Sequence, residues 1–544
     1  MTENTPDDLP GGDARRGGDL VPPAFGVPAT ALRRFRATVL DPDTAERLGD
    51  EPAPQPVAYV PHRLLIPGFT AEQLEGPRQR LTELGEEMQF TVEVRPSPLV
   101  GIANELGYSE RLGNATHSVV ELRPNDGRLG PPLEAWSVLQ RARSQFGRKE
   151  VARWSLNHVL MSTGSMSGVG YMSGVGYMSG VGYMSGVGYM SGVGYMSGVG
   201  YMSGVGYMSG VGAPGTAQGR GPVVLEMPAP RGTGGSSPVV AILDTGLGQH
   251  PWFPDGSPLV DRDPRANGSP IGLRFDPDED PENTGVTVDR VNGALDPLAG
   301  HGTFVAGVVR QHCPDARLVI VPVMYGDGAA DEADVIEALN GLAIYHWSAL
   351  DGKADHAPVD VVNLSLGYYH ETPQSVDEEG ALFDVLRTLA ADGVAVIAAA
   401  GNGGTTERFW PAALAETTPA GVPFTSVGAT NPADASVAVF SNTGSWVSTY
   451  SAGVAVVSTM PVTLEGSLRS DVAVAATGSD PARATPDPDS YPSGFGVWSG
   501  TSFSCPCCVG EVAAVLARSP LANRRDERIE QVSAAVAEVL GGES

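Results

Sequence analysis

The pattern of apolar and polar positions divides the chain into two folded regions, which a Gly-rich segment separates. In the first region, apolar residues alternate in some stretches and recur every three or four residues in others, which predicts strands and helices respectively. A βαββαβ order is expected, which is typical of a small α+β unit of the ferredoxin-like type. The strands and helices are predicted over residues 57–66, 70–88, 90–94, 118–122, 132–146 and 151–160.

The second region has continuous apolar runs without alternation. Helical stretches at residues 331–347 and 379–392 lie between several of these runs. Apolar strands separated by helices predict a mainly parallel sheet with helices on both faces, which is an α/β domain. The predicted strands are Pro238–Leu243, Leu318–Val323, Val359–Leu364, Val394–Ala400 and Phe424–Ala429.

These patterns predict five parts along the chain. We expect a disordered N-terminal tail (1–50), a βαββαβ unit (51–160), a Gly-rich linker (161–237), an α/β domain (238–520) and a helical C-terminal tail (521–544). Within the linker, a tandem repeat over residues 166–212 joins eight Met-Ser-Gly-Val-Gly blocks by seven tyrosines. Two glycines in each unit disfavour regular structure, so we interpret the repeat as a flexible connector. The alternative is a self-associating, silk-like segment.

Composition argues against several classes of function. The 544-residue chain has a formal net charge of −28. Only Lys149 and Lys353 are lysines, and neither completes a phosphate-binding loop. Proteins that bind the phosphate backbone need clustered Lys and Arg, so we expect neither a nucleic-acid partner nor nucleotide hydrolysis.

The cellular location is predicted from targeting and membrane signals that are not visible in the sequence. No signal peptide and no apolar run long enough to span a bilayer is visible, so no membrane partner is expected. Three of the four cysteines cluster at Cys505, Cys507 and Cys508, which is not the disulfide framework of a small secreted domain. We therefore expect a cytoplasmic location, with non-classical export left open.

Polar residues that follow apolar strands are candidates for chemistry, because ligands bind at the carboxyl ends of parallel strands. Asp244 ends the first strand of the second region, His301 opens a helix, and Ser502 leads into another helix. A serine hydroxyl becomes a nucleophile beside an imidazole base, which a buried carboxylate orients. Asn402 follows a further buried strand, where its side-chain NH2 could donate to a developing oxyanion.

At these four positions the sequence resembles the subtilisin-like serine proteases, over roughly residues 237–520. The resemblance implies a subtilisin-like three-layer fold, a serine endopeptidase acting on protein or peptide substrates, and chemistry that needs no cofactor. A structural calcium ion would be in keeping with the family, although the sequence does not identify its ligands. The matching blocks are Asp-Thr-Gly at Asp244, His-Gly-Thr at His301, Gly-Asn at Gly401-Asn402, and Gly-Thr-Ser-x-x-x-Pro from Gly500 to Pro506.

The resemblance also implies a role for each matching residue. Ser502 would attack the scissile carbonyl, His301 would transfer the proton, and Asp244 would orient His301. Asn402 and the backbone N–H of Ser502 would stabilise the oxyanion.

The same resemblance predicts how substrate is bound. Substrate backbone would pair with the segment Ser365, Leu366 and Gly367, while Ala400 and Gly401 would line the far wall of the pocket. If Trp410-Pro411 aligns with the family pattern, Phe409 stands near the pocket floor and favours small residues before the cut.

Subtilisin-like proteases often carry a βαββαβ prodomain, and the unit at residues 51–160 is similar to one. It would inhibit the enzyme until a cut in the 161–237 linker releases it; a permanent adaptor is the alternative for this unit. For the whole chain, the alternative function is a catalytically idle binding or assembly protein that acts through its Gly-rich repeat.

Several other residues have less specific interpretations. We expect Cys505, Cys507 and Cys508 to pack as small apolar residues, with redox inhibition as the alternative. The acidic insert around Asp276–Asp280 lacks the Gly and Glu that a calcium loop needs, so we interpret it as a solvated loop and assign no metal site. The isolated histidines are interpreted as structural or surface residues, namely His62, His117 and His158.

Overall fold

The computed structural model describes residues 27–49, 51–127, 132–163, 220–225, 227–372, 380–417, 420–433, 436–470 and 472–541. Residues 1–26 and the hexapeptide repeat lie outside these ranges, so the two interpretations of the repeat remain predictions. Among the described residues, no helix combines the length and the apolar character needed to cross a bilayer.

The N-terminal region forms one antiparallel sheet with helices on it. Its four main strands lie in the order β4-β1-β3-β2, and each neighbouring pair is antiparallel. Two short elements accompany them, the strand Thr38–Val39 and the 3₁₀ helix Arg148–Val151. The main elements are α1 (Ala29–Phe35), β1 (Ala58–Pro67), α2 (Ala71–Met88), β2 (Phe90–Val94), α3 (Leu99–Leu106), α4 (Ser109–Ala115), β3 (His117–Pro124), α5 (Ala135–Phe146) and β4 (Ser155–Ser162).

The predicted βαββαβ order is confirmed, and its first helix begins where the sequence indicates. Thr70 accepts a hydrogen bond from the backbone N–H of Gln73, whose side chain accepts from the Thr70 N–H in return. This capping box satisfies two backbone donors that the first turn would otherwise leave unpaired. The pattern did not predict α3 and α4, which are inserted between β2 and β3 and pack against helices of the second region.

Two predicted boundaries are corrected by the structure. Within the tail predicted to be disordered, residues 29–35 form α1, because Ala31 is buried and Arg34 pairs with Asp327 at 2.8 Å. At the start of the predicted linker, residues 161–163 are not a connector. They continue β4 into a cleft of the second region, where strands pair with them on both sides.

The second region is built on a parallel seven-stranded sheet, as predicted. Its order is β12-β11-β10-β8-β5-β6 followed by the short strand Val260–Asp261, with every neighbouring pair parallel. Its main elements are β5 (Val239–Asp244), α6 (His301–His312), β6 (Arg317–Pro322), β7 (Ala329–Asp331), α7 (Glu332–Leu350), β8 (Val361–Leu364), β9 (Leu366–Tyr369), α8 (Ala381–Ala391), β10 (Ala395–Ala399), β11 (Thr425–Thr430), β12 (Thr449–Ala452), β13 (Val456–Thr459), β14 (Phe495–Trp498), α9 (Thr501–Leu516) and α10 (Arg525–Val539).

Shorter elements complete this region. They are the strands Gly221–Pro222, Arg265–Ala266, Ser269–Pro270, Phe409–Trp410, Ala473–Val474 and Arg483–Ala484, and the 3₁₀ helix Ala412–Glu416.

Alternate residues of β5 enter two different cores, which is why the strand reads as continuously apolar. Val239, Ala241 and Leu243 pack with α7 and α8 on one face of the sheet. Val240 and Ile242 pack with α6, α9 and α10 on the other face. Burial on both faces is the physical basis of the three-layer α/β fold, which is confirmed.

Helix α10 belongs to this core, although the sequence predicted only a helical tail over residues 521–544. Its Arg528 is 1% exposed and pairs with Asp360. The other carboxylate oxygen of Asp360 accepts a hydrogen bond of 2.6 Å from the backbone N–H of Val239, the first residue of β5. The last helix of the chain therefore fixes the start of the strand that leads to Asp244.

Candidate active site

Strand β5 and helix α6 bring Asp244 and His301 together. Asp244 is the last residue of its strand and His301 is the first residue of its helix. The Nδ1 atom of His301 lies 2.7 Å from Oδ1 of Asp244, and both side chains are buried. A buried carboxylate at this distance holds one imidazole tautomer and leaves Nε2 directed elsewhere.

Ser502 lies in the first turn of α9, and its hydroxyl contacts the N-terminal region. Its Oγ is 2.7 Å from Oγ1 of Thr163, the residue that follows β4. Thr163 in turn donates from Oγ1 to the carbonyl oxygen of Ser365, at 3.1 Å. Since the Thr163 proton is used in that bond, the Ser502 hydroxyl donates to Thr163. His301 Nε2 is buried and makes no hydrogen bond with any residue that the structure describes.

Asn402 contacts the carbonyl group of the same threonine. Its Nδ2 donates to the carbonyl oxygen of Thr163. Its Oδ1 accepts from both the backbone N–H and the hydroxyl of Thr501, each at 2.9 Å. These two bonds fix the orientation of the amide, so its NH2 group is directed at the Thr163 carbonyl before any reaction begins.

Two strands hold the end of β4 in the cleft. On one side, Ser162 and Met161 are in register with Leu366 and Gly367 of β9, and the Thr163 N–H donates to the Ser365 carbonyl at 3.0 Å. Sequence analysis predicted that the segment on this side, Ser365 to Gly367, pairs with the backbone of a substrate.

The second side of the cleft was missed. Met161, Leu160 and Val159 pair antiparallel with β7, whose three residues are Ala329, Ala330 and Asp331. This segment has no apolar run, so its strand character comes only from pairing with β4.

The pocket beside Thr163 is narrow. An added Cβ at Gly401, where φ is +101°, would lie 3.1 Å from the ring of Phe409, and one at Gly367 would lie 2.5 Å from the same ring. Phe409 therefore fills the space between these two glycines. The carbonyl oxygen of Ala400 accepts a hydrogen bond from Nδ2 of Asn442, at 2.8 Å. A side chain that enters the space beside the ring of Phe409 would therefore have to be small.

Glu282 is a buried acid near the Asp244–His301 pair that sequence reasoning missed. It accepts hydrogen bonds from the Thr245 hydroxyl, from the Thr303 hydroxyl at 2.6 Å, and from the Gly302 N–H at 2.9 Å. It thus satisfies a backbone donor in the first turn of α6. Burial raises the pKa of Glu282 to about 7, while the bonds from the two threonines act in the opposite direction. The one feature of the sequence that could have identified Glu282 is its position directly after the acidic residues of the insert.

The cysteines near Ser502 are buried, as expected for small packing residues. Burial raises the pKa of the Cys507 and Cys508 thiols to about 12, and it raises the pKa of Cys505 as well. Neutral, enclosed thiols are poor nucleophiles and poor metal ligands.

The acidic insert is held by protein contacts. Arg290 pairs with Asp278 at 3.1 Å and with Glu279 at 3.3 Å. Among the described residues, one group offers three metal-ligand atoms within 4.8 Å of one another, and it consists of His158, His370 and Glu371. This group lies at the interface with the N-terminal region, away from the acidic insert, and sequence analysis interpreted His158 only as a structural or surface residue.

Comparisons with known proteins identify the family of the chain. Residues 235–539 match the model of the Subtilase family. Subtilisin BL from Lederbergia lenta is 29% identical over 247 residues, which is 44% of this chain and 72% of the relative. A thermophilic serine proteinase from a Bacillus species is 31% identical over 184 residues, or 32% of this chain and 39% of the relative.

Serine protease AprX from Bacillus subtilis is 28% identical over 188 residues, covering 31% of this chain and 34% of the relative. Among solved structures, fervidolysin from Fervidobacterium pennivorans, a keratinolytic enzyme related to subtilisin, aligns with a TM-score of 0.41 at 17% identity, over 88% of this chain and 57% of that chain. The family match covers more than half of the sequence and includes Asp244, His301, Asn402 and Ser502. The chain belongs to the Subtilase family and is a subtilisin-like serine endopeptidase.

Proposed function

We propose that the chain is made as a self-inhibited precursor that cuts its own backbone after Thr163. One observation carries this proposal, which is the position of Thr163. Its carbonyl oxygen accepts from Asn402, and its hydroxyl lies 2.7 Å from the Ser502 Oγ. These two contacts support attack by Ser502 on the peptide bond that follows Thr163.

The proposed mechanism assigns one task to each residue. The Ser502 Oγ adds to the carbonyl carbon of Thr163 while its proton passes to Nε2 of His301, whose charge Asp244 stabilises. Asn402 donates to the negative oxygen of the tetrahedral intermediate. When the bond to Gly164 breaks, His301 gives its proton to the leaving amine, and water later hydrolyses the ester between Thr163 and Ser502. The family's chemistry uses no cofactor, and a structural calcium ion remains a prediction without assigned ligands.

The docked hydroxyl of Thr163 supports inhibition before the cut. It accepts the Ser502 proton that the imidazole would have to receive, so the nucleophile and the base are not yet connected. Attack requires the Ser502 hydroxyl to rotate from Thr163 to His301. Until the strand leaves, no other peptide can enter the cleft.

Charge complementarity supports the N-terminal unit as the inhibitor. Four arginines of this unit, and Arg34 of the preceding helix α1, pair with aspartates of the catalytic region, and several of these aspartates are buried. Ion pairs with buried carboxylates favour one docking register, because a shifted register would leave those charges without partners. The pairs are Arg34–Asp327, Arg63–Asp331, Arg95–Asp334, Arg111–Asp392 and Arg153–Asp384.

The test compares the wild-type chain with Ser502→Ala. We expect the wild type to separate into two fragments whose masses place the cut between Thr163 and Gly164, and to react with a fluorophosphonate probe. Ser502→Ala should stay whole and unlabelled, while casein hydrolysis falls about 10⁶-fold. A cytoplasmic location stays a prediction that cell fractionation would test.

Ser504→Ala is the matched control, because Ser504 lies two residues further along α9 and donates only to the backbone carbonyl of Thr501. It should be labelled and processed like the wild type. A wild-type chain that hydrolyses casein without any cut would contradict self-processing and favour the permanent adaptor. A chain that takes no label and hydrolyses nothing would favour the catalytically idle alternative.

A further inference from the structure

The side chain of His158 is enclosed by groups of the catalytic region. Its Nδ1 is 2.6 Å from Oε2 of Glu332, the first residue of α7, and its Nε2 is 2.9 Å from Oε2 of Glu371, two residues after β9. All three side chains are at most 1% exposed. Since a carboxylate only accepts, the imidazole must carry a proton on both nitrogens to satisfy both bonds. His158 is therefore held as a cation.

An aromatic ring completes the enclosure. The ring of Tyr368 is stacked on His158, with 4.4 Å between centroids and 24° between planes. The face of a tyrosine ring attracts cations, and a planar cation gains most from stacking. Burial by itself lowers the pKa of His158, but the carboxylates of Glu332 and Glu371 outweigh it and raise this pKa to about 10.

The register of β4 relates this enclosure to substrate binding. If the cut follows Thr163, then His158 is the sixth residue before the cut bond. Strand β7 pairs with Val159, and the carboxylate of Glu332 also accepts the backbone N–H of His158 at 3.0 Å. The catalytic region therefore follows the strand up to its sixth position, with main-chain and side-chain contacts.

We infer that Glu332, Glu371 and Tyr368 form a specificity site for a planar cationic side chain, arginine or protonated histidine, at the sixth residue before the cut bond of a substrate. This inference rests on the proposed function, because the position of the cut defines the register. All three residues belong to the catalytic region, so they stay with the enzyme when the N-terminal unit leaves. His158 is then the first occupant of a site that later substrates use.

The surroundings of the site favour the same chemistry. Asp327, Asp331 and Asp334 lie on the same side of the cleft, and each is paired with an arginine of the N-terminal region. Departure of that region uncovers these acids together with Glu332 and Glu371. The resulting negative potential attracts substrates that are basic before the cut. A divalent cation fits less well, because both ring nitrogens of His158 already contact carboxylate oxygens.

The test uses the processed wild-type enzyme and synthetic peptides of residues 157–168. In these peptides His158 is kept or replaced, as His158→Arg, His158→Gln or His158→Glu, and kcat/KM for the cut after Thr163 is measured at pH 7.5. We expect the arginine peptide to be cut at least about tenfold faster than the glutamine peptide, and the glutamate peptide to be the slowest. Lowering the pH to 5.5 should bring the histidine peptide close to the arginine peptide, because a free histidine becomes charged there.

A further peptide has the same net charge as the arginine peptide but carries the charge at a different position. It distinguishes binding at the proposed site from general electrostatic attraction. It carries His158→Gln together with Ser165→Arg, which moves the positive charge beyond the cut. This peptide should gain less than threefold over the glutamine peptide. A peptide of residues 160–168, which lacks the sixth position, provides the rate without the site.

An enzyme variant then assigns the effect. Glu371→Gln should abolish the preference for arginine over glutamine, whereas the exposed control Asp255→Asn should keep that preference and the rate on residues 160–168. If Glu371→Gln does not fold, the wild-type peptide series decides alone. Equal rates for the arginine and glutamine peptides, in an enzyme that cuts casein and takes the fluorophosphonate label, would overturn the inference and leave the proposed function standing. Absence of both cutting and labelling would overturn the two together.

Discussion

The two ends of the strand that occupies the cleft are held by different forces. At Thr163 the contacts are neutral hydrogen bonds, to Ser502, to Asn402 and to the Ser365 backbone. At His158, five residues earlier, the contacts are between a buried cation and two carboxylates. We propose that the peptide bond breaks at the first end and that the enzyme recognises the strand at the second end.

The two kinds of contact differ in the range of substrate sequences that they accept. Neutral contacts with the backbone accept many sequences, so they suit a site that must cut different substrates. Buried charges are costly when they lack a partner, so they discriminate between sequences.

The largest effect is expected from Asp244→Asn. An amide at this position favours the wrong imidazole tautomer, so turnover on casein should fall about 10⁴-fold while the fold is retained. Steady-state kinetics and a circular dichroism spectrum measure the two quantities. Asp255→Asn is the control, because Asp255 is exposed on the surface. If Asp244→Asn loses less than tenfold, the observed contact between Asp244 and His301 is not important for the chemistry.

The recognition end should respond to His158→Gln. Without the imidazolium, two buried carboxylates lose their partner, which costs about 3–5 kcal/mol of docking free energy. Hydrogen exchange of the β4 amides, measured in the full Ser502→Ala chain, reports this loss as faster opening. His62→Gln is the matched control. Burial lowers the pKa of His62, and the charges that also act on it, Arg63, Glu121 and Arg36, all belong to the N-terminal region. Unchanged exchange in His158→Gln would mean that the charged contacts do not hold the strand.

A smaller effect is expected from Thr163→Phe. The ring of Phe409 already fills the pocket between Gly367 and Gly401, so a large side chain at position 163 should slow self-processing about 10–100-fold. Thr163→Ser should process at nearly the wild-type rate. The double variant Thr163→Phe with Phe409→Ala should recover much of the loss, as followed by the mass of the released fragment. Rapid processing of Thr163→Phe alone would show that Phe409 does not limit the pocket.

A still smaller change is expected with pH. The pKa of His158 is about 10 when docked and 6.5 in its ordinary state, so docking takes up a proton between these values. The stabilisation of docking by His158 is complete below pH 6.5 and is lost as pH rises through 10. The docking equilibrium constant falls by up to tenfold per pH unit in this range.

Other groups also face this histidine, namely Tyr59, Tyr368, His370, Glu332 and Glu371. Burial raises the pKa of Tyr59, and the net effect of His370 and His158 lowers that of Glu371 despite its burial.

The measurement is again hydrogen exchange of β4 in Ser502→Ala, corrected for intrinsic rates, between pH 6.5 and 9.5. The His158→Gln variant should lose the pH dependence over this range. A dependence that persists in the variant would assign it to another group.

The residues that lie together at the chemical end could be located from the sequence for a physical reason. Asp244, Asn402 and the preceding apolar runs are local patterns, and parallel strands necessarily bring their carboxyl ends to one edge of the sheet. A helix start at His301 or Ser502 is also a local signal. The residues nearest the proposed chemistry could therefore be identified from short stretches of sequence.

The recognition end could not be predicted in the same way. Strand β7 contains only Ala329, Ala330 and Asp331, and it is a strand only because β4 pairs with it. The two carboxylates that contact His158 belong to residues more than 170 positions away along the chain. Glu282 likewise depends on a loop that folds back on α6. Isolated polar residues of this kind carry no periodic pattern, and their partners are set by tertiary packing.

The bond network from Arg528 through Asp360 to Val239 has a consequence for timing during synthesis. The strand that ends in Asp244 emerges from the ribosome early, but the helix that fixes its start emerges almost 290 residues later. At about 5–20 residues per second, this interval lasts roughly 15–60 s. The N-terminal unit is complete before that interval begins. If the N-terminal unit is the inhibitor, as proposed, a nascent chain carries it throughout the period in which the catalytic sheet is unfinished.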